Sequence, residues 1–321
     1  MTRRSTRNPP STQSSLRRIC SAVSASSVLI VAALAATVLA QAPPKFDSNR
    51  AWEDLRQLVA IGPRPSGSAA IEQTRKYMKD RLAATGVAVT DQAWDDETPL
   101  GTVHMVNLIA TIPGTRKDRI VISGHYDTKL FREFRFVGAS DGASSAAFLL
   151  EAARVLKAQK HPLTIELLFL DGEEAVCKNW DDCSKPGAPD NTYGSRHYVD
   201  AAKRDGSLAT LKANILVDMI ADRDLHMRRE GYSTPWLTDI IWNTAKRLGQ
   251  DNAFVPQSTR IEDDHLAFLA AGVASVDIID LEYPPWHTAQ DTLDAVSARS
   301  LQTVGDVVFA ALPAIEARAA K

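Results

Sequence analysis

Asp171-Gly172-Glu173-Glu174 follows directly on the apolar run Leu163 to Leu170. Burying ionised groups is unfavourable unless a cation or strong donors compensate. In an α/β protein, functional groups gather where strands end at their carboxyl termini. Neighbouring carboxylates divide labour there, one binding a metal and the other moving protons. Read alone, the segment is equally a solvated acidic turn. Other segments repeat the pattern. His125 and Asp127 follow the run Arg119 to Ser123. Asp141 lies in Gly138-Ala-Ser-Asp141-Gly-Ala, Asp218 falls near the end of the run Ala213 to Ile220, and His287 lies in Pro284-Pro-Trp-His287-Thr288. Each has a plain alternative. His125 suits a hydrogen-bonded core, Asp141 a helix cap, Asp218 a pair with an arginine, and His287 a packed cluster with Trp286. All of these readings together are far less probable than any one. Imidazole and carboxylate groups without thiolate suit a catalytic Zn²⁺ with an open position.

The elements that must carry these residues are legible from periodicity. Strands are predicted at Val103 to Ile112, Arg119 to Ser123, Leu163 to Leu170, Ala213 to Ile220 and Val273 to Ile279. Helices are predicted at Ser48 to Ala60, Ser68 to Thr85, Ser144 to Ala158, Gly194 to Arg204, Pro235 to Leu248 and Asp263 to Ala271. A last amphipathic helix starts at Ser297. Strands alternating with helices predict a single-domain, doubly wound α/β fold with a mixed, mostly parallel sheet flanked by helices. There is no internal repeat. Cys177 to Asn191 reads as a long ordered loop beside the site.

The first 40 residues differ from the rest. They hold Arg3, Arg4, Arg7, Arg17 and Arg18, no acidic residue, and then the apolar stretch Val28 to Ala40. This reads as a secretory signal cleaved after Ala40, with residues 41–321 as the catalytic domain. An uncleaved anchor is the alternative, although thirteen residues are short for a membrane span. Export places the protein in the periplasm or outside the cell. Without the leader's five arginines, 32 basic residues face 39 acidic ones, a net charge of −7. That disfavours nucleic acid as a partner. Cys177 and Cys183 are the only cysteines after Cys20. In an exported chain their spacing suggests a disulfide closing a small loop, with two reduced thiols as the alternative.

The succession His125-Tyr-Asp127, Gly138-Ala-Ser-Asp141, Asp171-Gly-Glu-Glu174, Asp218, Asp264-His265 and Trp286-His287-Thr288 resembles the zinc aminopeptidase superfamily over nearly the whole mature chain. Finer features resemble its glutaminyl cyclase branch. These are His125-Tyr-Asp-Thr-Lys129, Phe136-Val-Gly-Ala-Ser-Asp-Gly-Ala143, Tyr193-Gly-Ser-Arg-His197, Glu262-Asp-Asp-His265, and the tryptophans Trp180 and Trp286. The resemblance implies one Zn²⁺ per chain held by Asp141, Glu174 and His287. It makes Glu173 the proton shuttle and Asp218 and Asp263 acids sharing protons near it. It assigns Trp180, Trp286 and Lys129 to substrate binding. The peptidase relatives would add His125 and Asp218 as ligands to a second zinc. The chain departs from the animal cyclases at Asp277, where they carry a histidine. Trp180 also lies one residue further from Glu174 than in those cyclases, and the Cys177–Cys183 loop is unusual.

The implied reaction converts the N-terminal glutamine of a peptide or protein to pyroglutamate with release of ammonia. The rival is a zinc aminopeptidase, in which Glu173 activates water instead. A secreted domain without catalysis is the third class.

Overall fold

The computed structural model describes residues 45–321. The leader read at residues 1–40, its cleavage point and Cys20 lie outside them. Two helices open the described chain. In α1 (Ser48–Ile61) the Asp47 carboxylate accepts from Asn49 N–H, and Ala51, Leu55 and Leu58 form the buried face. In α2 (Ala69–Thr85) the Ser68 hydroxyl caps Ile71 N–H, and Gly86 at φ 70° stops the helix. Next come β1 (Ala88–Thr98), β2 (Gly101–Ile112), β3 (Arg116–His125), α3 (Ala143–Lys157) and β4 (Leu163–Leu170). The second half holds α4 (Tyr193–Asp205), β5 (Leu211–Asp218), β6 (Met227–Glu230), α5 (Pro235–Arg247) and β7 (Phe254–Thr259). It ends with α6 (His265–Ala270), β8 (Ala274–Ile279) and α7 (Ala298–Ala319).

The main sheet has the order β1-β2-β4-β3-β5-β8. β1 and β2 are antiparallel, as are β2 and β4, while β4, β3, β5 and β8 run parallel. β3 is the pivot. The chain crosses from it to β4 on one side and later returns to β5 on the other. Such a reversal leaves a crevice at the strands' carboxyl ends.

Alternation along the strands covers both faces of the sheet. Ile120 and Ile122 of β3, with Ile165, Leu167 and Phe169 of β4, join the large core under α1, α2, α3, α5 and α7. Val121, Leu168 and Leu170 point the other way, to a smaller core with Tyr198, Val199 and Phe268 from α4 and α6. Gly124 lets α3 approach β3: a Cβ there would lie 2.7 Å from Ser145 Cβ and 2.8 Å from the Val217 carbonyl.

The doubly wound α/β expectation holds, with three corrections to its elements. β1 was not expected, because Ala88–Thr98 is polar and lies at the sheet edge with one face exposed and the other half-buried. The short strands β6 and β7 were not expected either; they form a separate two-stranded parallel sheet. Asp263 was expected on a helix but lies in the turn before α6, which begins at His265. Among the described residues no helix is long and apolar enough to cross a membrane.

Candidate active site

The acidic segment after β4 is held by its neighbours before it does anything else. Asp127, just past β3, accepts from the backbone N–H groups of Glu173 and Glu174, both at 3.3 Å. Asp171 itself points away from the site. It takes Ser66 Oγ at 2.6 Å, Arg75 Nη1 at 2.9 Å and Val106 N–H at 2.9 Å, which ties the segment to α2 and β2. Glu173 and Glu174 are thereby fixed facing the crevice.

Asp141 is fixed in the same way from across the fold. Asp291 accepts from the N–H groups of Ser140 and Asp141 at 2.8 and 3.1 Å and from Tyr283 OH at 2.7 Å. Arg64, wholly buried, donates to the carbonyls of Tyr126, Val137 and Gly138 and locks the loop that leads to Asp141. His287 has φ 53°, and Met219, next to Asp218, has φ 44°. Positive φ in such residues is costly and concentrates at functional sites.

These supports bring three side chains together. His287 Nε2 lies 3.4 Å from Asp141 Oδ2 and 3.4 Å from Glu174 Oε1. Each residue offers one ligand atom, and these atoms lie within 4.8 Å of one another. Asp141 Oδ2 and Glu174 Oε2 are buried with no hydrogen-bond partner. Burial works against the His287 imidazolium, but Glu174 and Asp141 outweigh it and raise its pKa to about 10. A tight group of two buried carboxylates and an imidazole, with Asp141 Oδ2 turned inward and without a hydrogen bond, fits a divalent cation.

A second set overlaps the first. His125 Nε2 lies 3.0 Å from Asp218 Oδ1 and 3.2 Å from Asp141 Oδ1. His125, Asp141 and Asp218 also satisfy ligand spacing. His125 lies 1% exposed behind the cavity, with Asp127 Oδ1 3.4 Å from its Nδ1. Burial opposes its charge, yet Asp218 and Glu173 raise its pKa well above the usual imidazole value.

A cavity of about 490 Å³ opens over the first set. Asp141, Glu173, Glu174, Asp218, Asp263, Trp180, Trp286 and His287 all line it. The structure therefore gathers every site residue expected from sequence except His125 and Lys129. Burial raises the Glu173 carboxyl well above its usual range; His125 opposes this, and Glu174 and Asp263 reinforce it. Asp263 is likewise raised well above the carboxylate range by burial, then by Asp218 and Asp264. Trp286, 41% exposed, stacks on His287 with ring centroids 4.4 Å apart. Trp180 lies in the loop closed by the Cys177–Cys183 disulfide.

Lys129 is placed differently from the expectation. It is 2% exposed, donates Nζ–H to the Ala175 carbonyl at 2.7 Å, and lies 3.7 Å from Glu174 Oε2. Its backbone N–H donates to Glu174 Oε1 at 3.1 Å. It backs Glu174 and does not line the cavity. Asp277 also lies behind the site, fully buried, with Oδ2 3.7 Å from His265 Nδ1. Sequence reasoning missed Asp291 and Arg64. An Asp four residues past His287 and an Arg between two prolines were the available signals, and both are too common to single out.

Carboxylates and imidazoles converging at the switch point of a mostly parallel sheet define an α/β protein with a candidate metal centre at its strand ends. The chain belongs to peptidase family M28, whose model matches residues 107–312. A solved glutaminyl cyclase from an Acidobacteriales bacterium is 36% identical, covers 87% of this chain and 98% of its own, and superposes with a TM-score of 0.80. The mouse glutaminyl-peptide cyclotransferase-like protein is 31% identical over 280 residues, 77% of this chain and 70% of that protein. A leucine aminopeptidase precursor from Bacteroides thetaiotaomicron is 29% identical over 84% of this chain and 97% of its own, with a TM-score of 0.76.

Proposed function

We propose that this chain is a zinc-dependent glutaminyl-peptide cyclotransferase. The observation that carries the reading is a single cavity in which Asp263 joins Glu173 and Asp218 beside the Asp141–Glu174–His287 group. The similarity to glutaminyl cyclases supports it. Asp141, Glu174 and His287 would hold one Zn²⁺, which when bound supplies a Lewis acid for the γ-carboxamide oxygen.

This chain's own residues do the rest. The substrate's α-amine attacks its γ-carboxamide carbon. A C–N bond closes the five-membered ring, the bond to the amide nitrogen breaks, and ammonia leaves. Glu173 takes the proton from the attacking amine and returns it to the departing nitrogen. Its raised pKa suits a group that must hold a proton and then give it up. Asp218 and Asp263 share that proton. Trp180 and Trp286 wall the glutamine side chain into the folded rotamer that ring closure needs. Lys129 acts as a positioning residue that holds Glu174. The leader at residues 1–40 would deliver the enzyme to the periplasm or beyond, where it meets peptides or proteins with N-terminal glutamine.

The His125–Asp141–Asp218 set favours a second reading, a two-metal aminopeptidase. Mass spectrometry on a Gln-Ala-peptide and a Leu-Ala-peptide separates them. A cyclase lowers the mass of the first by one ammonia and leaves the second intact. Free leucine, two zincs per chain and no ammonia would establish the peptidase.

A further inference from the structure

A second cavity of about 450 Å³ adjoins the first. The two share Trp180, Glu262 and Asp263 as a common wall. The first cavity is closed at its floor by buried Asp141 and Glu174, so a bound glutamine enters floor-first and the rest of its peptide must leave across the rim. An extended chain advances about 3.4 Å per residue. The second residue therefore spans the rim, and the next ones fall where the adjoining cavity begins.

The chemistry of that cavity is readable from its pairings. One side is apolar, from Val199, Leu266 and Ala270. Four acids, Asp181, Asp200, Glu262 and Asp263, line it against two cations, each held in place by neighbours. Arg196 donates to the carbonyls of Pro189 and Asn191 and stacks on Tyr193, and Lys203 Nζ lies 3.1 Å from Asp200. Asp181 and Glu262 have no cationic partner among the described residues, and Trp180 lies between the two cavities as an aromatic face. Free carboxylates beside an aromatic face attract a cation.

Resting on the cyclase reading above, we infer that this second cavity is the subsite for the third and fourth residues of the peptide, and that it favours lysine or arginine there. The long apolar stems of those residues lie along Val199 and Leu266 while their charges reach Asp181 and Glu262.

The test measures ammonia release from Gln-Ala, Gln-Ala-Lys-Lys-Ala and Gln-Ala-Glu-Glu-Ala with the intact zinc enzyme. The lysine peptide should exceed the glutamate peptide in kcat/KM by about two- to fivefold, the range of exposed ion pairs. The ratio should shrink in high salt and approach unity in the D181N/E262Q variant. Ala270→Trp, on the exposed wall of the second cavity, should lower kcat/KM for the lysine peptide and leave Gln-Ala unchanged. Equal kcat/KM for the two long peptides in the unaltered enzyme overturns the subsite. So does an equal loss on Gln-Ala in Ala270→Trp. No ammonia from Gln-Ala at all overturns the cyclase reading, and the subsite with it.

Discussion

Glu173 and Glu174 are adjacent, yet their surroundings give them different work. Glu174 faces His287 at 3.4 Å and has Lys129 behind it, whereas Glu173 faces the open cavity and the acids Asp218 and Asp263. Glu173→Gln should therefore cut turnover by about 10²- to 10⁴-fold while zinc content by mass spectrometry stays near one per chain. Glu174→Gln should lose the metal instead. The reverse pattern would exchange their roles. Lys129→Met removes the ammonium contact that orients Glu174, so zinc affinity should fall about tenfold with little change in KM for Gln-Ala. A KM rise at full zinc occupancy would return Lys129 to substrate binding. The lysine illustrates what sequence leaves open. Its position after the His125 motif marked it as belonging to the site, but only packing decides whether a long side chain points into a cavity or behind its wall. Asp141, Glu174 and His287 stood out as candidates because their types recur at strand ends and the turns that follow, whereas their grouping as one ligand set came from the family resemblance.

At the scale of elements, the turn after β6 and the loop after β7 depend on one carboxylate. Glu230 accepts from the N–H groups of Tyr232, Ser233 and Ile261, and His265 Nε2 lies 3.0 Å away. Burial raises its pKa, but His265 and the backbone N–H groups outweigh burial and hold it at about 2. The folded state thus binds fewer protons than the unfolded one between the usual glutamate value and about 2. The stabilisation is complete above that window and is lost as pH falls through it. Acid denaturation should show this as a loss of stability below about pH 4.5 that Glu230→Gln abolishes, with that variant less stable at pH 7 by about 2 kcal/mol. An unchanged acid limb would remove Glu230 from the account. The Cys177–Cys183 disulfide makes a different prediction. Closing so short a loop is worth about 2 kcal/mol by chain entropy, and the loop carries Trp180. The C177S/C183S variant should raise KM more than it lowers kcat. These elements also mark where patterning fails. β4 announced itself by an apolar run interrupted only at Thr164 and Glu166 and buried on both faces, but β1 carries Asp, Gln and Glu on an exposed edge, and no period distinguishes it from a loop. β6 has four residues and β7 six, too few to show a period against the turns around them.

Across the whole molecule, the candidate metal group joins chain segments that are distant in sequence. Asp141 precedes α3, Glu174 follows β4 and His287 follows β8, so one cation would bridge both sides of the β3 pivot. Asp291 and Arg64 hold the Asp141 loop from the protein side, which leaves Asp141 Oδ2, buried without a hydrogen bond, as the part of the centre that protein contacts do not satisfy. A ligand that binds only the folded chain stabilises it by about 2.7 kcal/mol at a hundredfold excess over its dissociation constant. For a domain of this size that is a Tm shift of roughly 4–5 °C. Chelation should lower the Tm of the purified enzyme by that amount, and added zinc should restore it. His287→Ala should start near the chelated value and respond little to either treatment, because two carboxylates alone hold zinc poorly. The measurement is independent of turnover, so it separates a missing metal from a misassigned reaction. A Tm that stays constant through complete removal of zinc would mean that the two sides of the pivot are already locked by protein contacts, and that the cation serves the chemistry alone.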